Sequence, residues 1–488
     1  MYLFAILATG KFPQASKQDG RHREITCICL GALLLLQPHK NSTDGFSNFN
    51  TRHTAHISFL SLFKNSSFLL CKNLSTLASL FVFAVLLAQY LGKEVLGLFT
   101  LFSAILVLFS FLVDFGQSTS LIQEINRKSE SSGRIIENSI LLKIFLTMGA
   151  SFTLFLFSQA YFDTDQTRHL FWIFGLILLP RAVYSTFEAG FHAKQKMTYS
   201  MWVGIFTAIW LVLGSWILLR LNFGFGSIVA FLVVLETVKA ILIWALYRGV
   251  TNFRFREGVK TYQVLFSGLA RKSMPFFLLG LIGTFYVRID IMLLAFLRDT
   301  SDVGIFSAAN SFFKVMQVVP SVVIASYFPA ISGFRRNSPE VKFLTYKTLW
   351  LQFSLSLFMA IIIFLLSEFL IANTFGFSES PRILRFLVWA IIPYSLYSTL
   401  IYAFFQTDRI AVSIKILSAA LILNVGLNLL LIPKLGVMSL VLTQITSETF
   451  CVILFFGVYL YQGRMIKHSL VEDALPKYES EVSKLSVN

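Results

Sequence analysis

The feature that most restricts this chain is a succession of apolar runs, each long enough to cross a bilayer. We read twelve of them, near 66–90, 95–117, 137–160, 168–192, 198–219, 225–247, 273–297, 303–329, 347–371, 384–406, 411–432 and 437–460. A helix needs about 20 residues to traverse roughly 30 Å of hydrocarbon. In lipid the backbone must satisfy its own hydrogen bonds, which leaves helices or closed barrels. Barrel strands would run for about 10 residues with alternating polarity, a pattern these runs lack. With 56% hydrophobic and 14% charged residues, the chain carries more apolar surface than a water-soluble fold can hide. The expected fold class is an all-α polytopic membrane protein of about 12 transmembrane helices.

The chain also repeats itself. Pro180, Tyr184, Ser185 and Thr186 recur 213 residues later as Pro393, Tyr397, Ser398 and Thr399. Gly224, Ser227, Val229, Glu236 and Thr237 recur 212 residues later as Gly436, Ser439, Val441, Glu448 and Thr449. Two unrelated patterns at nearly one offset imply a duplicated half. Six runs per half predict two pseudo-symmetric six-helix lobes of the same membrane orientation, an architecture that suits rocking about a central cavity.

The expected divisions are an N-terminal extension over 1–63 without a span-length run, an N-lobe over 64–248, a basic linker over 249–272, a C-lobe over 273–462 and a polar tail over 463–488. The net charge of +16 is distributed by connection. Counting connections alternately, 21 Lys and Arg, Lys72 among them, fall on the side of the extension and 7 on the other. That asymmetry predicts both ends of the core in the cytoplasm. It marks topology and anionic lipid as a neighbour, so no nucleic-acid partner is expected.

Polar residues inside apolar runs usually face a bundle interior or a wet cavity. Ser307, Asn310, Lys314, Gln317 and Ser321 fall at steps of 3, 4, 3 and 4, one stripe of a helix. A shift of 207 residues lands on Thr100, Ser103, Val107, Ser110 and Asp114. The fourth run carries Arg181, Tyr184, Glu188 and His192, with Arg181 and Glu188 placed to neutralise each other through an intermediary. The seventh carries Arg288 and Asp290, which point about 200° apart on a helix. Arg288 is therefore assigned to the path and Asp290 to a neighbouring helix. A guanidinium there can grip a phosphate with two hydrogen bonds. Substrate-binding candidates are Arg288, Lys314, Arg181, Asn310 and Gln317. Asp114, Asp290, Glu236 and Glu448 are candidates for ion coupling or for structure, with Lys239 a ready partner for Glu236.

No phosphate-binding loop, zinc-protease motif or nucleophile elbow occurs in the chain. Cys27, Cys29, Cys71 and Cys451 form neither a disulfide framework nor a zinc site. No cofactor, metal or catalytic residue is expected.

Several segments resemble a known family. Ala88 to Phe99, with Tyr90-Leu91-Gly92 and Gly97, and then Asp114-Phe115-Gly116, resemble the opening of the polysaccharide flippases of the multidrug/oligosaccharidyl-lipid/polysaccharide exporter superfamily. Arg288-Ile289-Asp290, Val303 to Ala309 and Phe328 to Ser332 are similar to that family's second half. The resemblance covers about 64–460 and lacks the N-terminal extension. It implies flipping of undecaprenyl-pyrophosphate-linked oligosaccharide repeat units across the cytoplasmic (inner) membrane, as in O-antigen biosynthesis. Implied partners are the lipid-linked oligosaccharide, membrane lipid and the polysaccharide polymerase machinery. The alternatives are a multidrug exporter of the same superfamily and an integral-membrane sugar transferase or polymerase.

Overall fold

The computed structural model describes residues 59–127, 132–251, 262–332, 334, 338–406 and 410–485. Nearly all of the extension lies outside them, as do Cys27, Cys29 and the linker's Arg254, Arg256 and Lys260.

Among the described residues there is no strand. The first half comprises α1 (Phe59–Asp114), α2 (Gln117–Arg127), α3 (Ser132–Tyr161), α4 (Asp165–Gly175), α5 (Leu178–Ala193), α6 (Met197–Arg220) and α7 (Phe225–Thr251). The second comprises α8 (Tyr262–Leu297), α9 (Thr300–Met316), α10 (Val318–Ser332), α11 (Pro339–Thr374), α12 (Ser380–Leu387), a 3-10 turn at Val388–Ala390, α13 (Ile391–Gln406), α14 (Ile410–Leu435) and α15 (Val437–Leu485). Among the described residues eleven helical stretches are long and apolar enough to cross a membrane. The first, Ser67–Arg127, has 61 residues and is interrupted at Gly92, where φ is 82° and ψ is −178°. It therefore supplies two crossings, which brings the number to twelve.

The duplication is visible in the packing. Gly97 and Gly304, 207 residues apart in sequence, sit on one seam between α1 and α9. A Cβ at Gly97 would lie 1.7 Å from the carbonyl oxygen of Thr300, and one at Gly304 would lie 2.0 Å from that of Lys93. Lys93 and Thr300 are also 207 residues apart, so each glycine faces the counterpart of the other's neighbour. One turn further on, Thr100 Oγ1 and Ser307 Oγ share a hydrogen bond of 2.8 Å. This reciprocity is that of a two-fold axis through the seam, and small residues are what let membrane helices approach so closely.

The repeated motifs fold alike. Ser227 Oγ and Ser439 Oγ donate to the carbonyls of Gly224 and Gly436 at 2.7 and 2.6 Å. Thr186 and Thr399 each donate to the carbonyl four residues back at 3.0 Å. The helical run breaks at Leu176 and Ile177 in one half and tightens at Val388–Ala390 in the other. Counting apolar residues alone predicts neither break, because the run is apolar throughout.

The lobes touch at both ends. Near Lys93 the seam gains Gln89 Nε2 donating to the Thr374 carbonyl at 2.7 Å and the Lys93–Glu379 pair at 3.4 Å. Glu379 lies outside the spans, and hydrogen bonding to backbone N–H holds its carboxyl below the ordinary value. At the other end Ser120 Oγ meets Ser273 Oγ at 2.6 Å, and Phe115 stacks on Phe277 at 4.4 Å between ring centroids. The final helix continues to Leu485, so the predicted polar tail prolongs the last span as helix.

Candidate functional site

Between the two closed ends lies a cavity of about 340 Å³, lined chiefly by the end of α1, by α2 and α5, and by Thr284 of α8. That volume sits at the small end of the roughly 300–1,000 Å³ usual for ligand sites. Of the candidates named above, Arg181 and Asp114 line it directly, with Ser110, Ser118 and Ser185. Arg181 donates to Ser110 Oγ at 3.4 Å and to Glu236 Oε1 at 3.2 Å.

Arg288 and Lys314 come from the opposite lobe. Arg288 lies close enough to Arg181 to feel its charge, and Lys314 feels Arg288. Three cations from both halves thus gather in one electrostatic neighbourhood. Among the described residues neither Arg288 nor Lys314 has an ion pair or side-chain hydrogen bond. Unpaired cations inside a membrane are costly and mark sites that receive an anion. Asn310 and Gln317 are half-buried on the same helical run as Lys314, with Gln317 at the break between α9 and α10. Ser307, on the same stripe, joins the helices at the seam through Thr100, the role that interhelical hydrogen bonding gives such a serine.

The four acidic candidates divide by lobe. In the first, each carboxylate is matched. Asp114 Oδ1 accepts from Lys143 at 2.6 Å. Glu236 takes Arg181 and Lys239, both at 3.2 Å. Glu188, expected to reach Arg181, is bound instead by Lys72, Tyr184 and Ser200. His192 stands 3.9 Å from Glu188. Lys72 had been counted as a connection residue; it lies inside α1 with its side chain in the lobe.

In the second lobe the carboxylates have no cation among the described residues. Asp290 is buried and accepts from Asn428 Nδ2 at 2.7 Å. Glu448 is 2% exposed and accepts from Gln444 Nε2 at 3.2 Å, while its Oε2, Asn428 Oδ1 and Thr443 Oγ1 are buried without partners. The two carboxylates are close enough to repel one another. Duplication explains the contrast. The counterparts of Glu236, Arg181 and Lys239 are Glu448, Tyr394 and Cys451, so the second lobe kept the acid and replaced both of its cations. No group of three or more His, Cys, Asp or Glu among the described residues is placed to hold a metal ion.

Lys143 is the buried cation at the site that the sequence analysis does not single out. Its side chain is 1% exposed and reaches Asp114, Ser118 and Ser185 from behind the cavity wall. A lone Lys inside the run 137–160 was the available signal, since it demands a partner on another helix.

Two related lobes that meet at both ends, with cations of each in one electrostatic neighbourhood, define an all-helical membrane protein built of paired halves. Residues 62–334, more than half of the chain, match the family model described as polysaccharide biosynthesis protein. The chain belongs to that family. Among solved structures it is similar to the lipid II flippase MurJ in an inward closed conformation, with TM-score 0.69 and 14% identity over 80% of this chain and 87% of that one. It is also similar to an inward-facing multidrug resistance MATE family transporter, with TM-score 0.64 and 14% identity over 82% and 96% of the two chains. A superfamily transporter from Pyrococcus furiosus matches at TM-score 0.59 and 14% identity over 84% and 96%. Among curated proteins none matches the chain by sequence.

Proposed function

We propose that this protein flips polyprenyl-pyrophosphate-linked oligosaccharide repeat units across the cytoplasmic membrane by alternating access, for surface polysaccharide synthesis. The observation that carries this reading is the gathering of Arg181, Arg288 and Lys314 from both lobes, two of them without a counter-ion among the described residues. A pyrophosphate offers the two adjacent anionic groups that such a cluster would neutralise, and a guanidinium binds them with directed hydrogen bonds. Sugars would occupy the cavity beside Asp114, Ser110 and Ser185, where hydroxyls find donors and acceptors, while the polyprenyl tail stays in lipid. Asn310 and Gln317, which share the helical run of Lys314 and do not line this cavity, would meet the substrate only as the second lobe moves. The Ser120–Ser273 end faces the cytoplasm in this reading, which the excess of basic residues in the connections on that side supports.

Asp290 and Glu448 take the coupling role. Buried, mutually repelling and without a resident cation, they suit a monovalent cation or a proton, whereas Asp114 and Glu236 are already neutralised by Lys143, Arg181 and Lys239 and act in structure. Polymerase machinery on the outer side would consume the flipped product.

Deletion of the gene tests the reading. Lipid-linked intermediates should accumulate in the inner leaflet and surface polysaccharide should fall. Normal polysaccharide with raised sensitivity to cationic dyes would instead identify a multidrug exporter. The cationic interior disfavours that outcome, because an organic cation needs acidic groups facing it.

A further inference from the structure

The joint between α1 and α2 has features that helix packing alone does not call for. Phe115 and Gly116 are consecutive left-handed residues, with φ of 48° and 68°. That conformation is disfavoured for a bulky side chain. The next residue, Gln117, is fully buried, and its Nε2 has no partner although Ser139 Oγ donates to its Oε1 at 3.0 Å. A strained joint next to an orphaned donor is a conformation held in place by something else.

Two sets of contacts hold it. On the second lobe, Phe277 stacks against Phe115 and lies 5.9 Å from Phe111, while Ser273 bonds Ser120 of α2. Within the first lobe, Asp114 caps α2 by accepting from the Ser118 N–H at 3.3 Å, and Lys143 pins Asp114 from behind at 2.6 Å. Asp114 and Ser118 also line the cavity. One carboxylate therefore belongs both to the substrate chamber and to the cap of the helix that closes it.

We propose that α2 is a gate pivoting at Phe115–Gly116, with the Asp114–Lys143 pair as its catch, released when an anionic head in the cavity draws Lys143 away from Asp114. Without its cation Asp114 no longer holds α2 in register. The strain at Phe115 and the unmet Gln117 amide then favour parting of Ser120 from Ser273. The pivot and catch stand on geometry alone; the trigger rests on the anion-binding function proposed above.

Disulfide cross-linking separates the two. In the full chain with its four native cysteines replaced by serine, Ser120→Cys/Ser273→Cys should cross-link readily, as should Thr100→Cys/Ser307→Cys at the other seam. Lys143→Met should lower the 120/273 yield at least threefold and leave 100/307 unchanged, which also shows that the variant is folded. Asp114→Asn/Lys143→Met, which removes both charges, and Gly116→Ala, which leaves them in place, should do the same. Parental 120/273 yield in any of these variants that keeps its 100/307 cross-link would overturn the pivot and catch. Farnesyl pyrophosphate should lower the parental 120/273 yield where farnesol does not. If it binds yet has no effect while Lys143→Met does, the trigger fails and the gate stands; if it does not bind at all, the anion-binding reading fails as well.

Discussion

A single methyl group at Gly97 tests whether the lobes close as described. A Cβ there would lie 1.7 Å from the Thr300 carbonyl oxygen and 2.9 Å from the Gly304 nitrogen, both backbone atoms that cannot rotate away, whereas ordinary contact begins at 3.4 Å. The helices must part by about 1.7 Å to admit it, and a well-packed core resists such movement. Overpacking of this kind costs about 1–3 kcal/mol. The Thr100–Ser307 hydrogen bond, lost with the seam, adds about 0.6 kcal/mol on the scale measured between membrane helices. At about 1.4 kcal/mol per tenfold, the closed seam should be depopulated by about one to two and a half orders of magnitude. Spin-label distances across the Lys93 end should lengthen in Gly97→Ala. Gly304→Ala should give the same shift, because a Cβ there meets the Lys93 carbonyl oxygen at 2.0 Å. The double variant should cost less than the two single costs combined, since one parting of the backbones accommodates both methyl groups. Gly149→Ala, with nothing within 4 Å, serves as the control. Parental distances in Gly97→Ala would refute the seam.

The matched and unmatched acids respond in opposite ways. Glu236→Gln should lower stability in detergent by several degrees in Tm, because it strands Arg181 and Lys239. Glu448→Gln should leave Tm unchanged or raised, as no cation loses a partner, while abolishing the ion dependence of transport. Lys143→Met should cost about 3–5 kcal/mol, the usual consequence of removing one member of a buried pair, and Asp114→Asn in the same chain should recover part of it in a thermal melt. Arg288→Ala should insert at the parental level by membrane fractionation yet fail to restore surface polysaccharide in a deletion strain. Full restoration would remove Arg288 from the path.

What the sequence disclosed followed from local periodicity. Apolar runs located the helices, and the 207-, 212- and 213-residue offsets located the pseudo-symmetry that Gly97 and Gly304 make physical. Pairings between distant helices leave no such periodic signal. Nothing in spacing joins Lys72 to Glu188 across 116 residues or Lys143 to Asp114 across 29, so Lys72 was placed in a connection and Lys143 was passed over. The repeated glutamates show the converse. Glu236 and Glu448 look equivalent in sequence, but their surroundings differ because Arg181 and Lys239 have Tyr394 and Cys451 as counterparts, a contrast readable only by aligning the halves beyond the conserved motif. Helix breaks at Leu176 and Gln317 were hidden for a third reason, since an apolar run stays apolar through a change of direction.

In the function proposed above, cations from both lobes form one receptor for a lipid pyrophosphate. Equilibrium binding of farnesyl pyrophosphate to the purified full chain measures it directly, with farnesol as the uncharged control. Saturable binding that Arg288→Ala/Lys314→Met weakens at least tenfold is the predicted result. Equal binding of pyrophosphate and alcohol, or an unchanged affinity in the folded double variant, would contradict it.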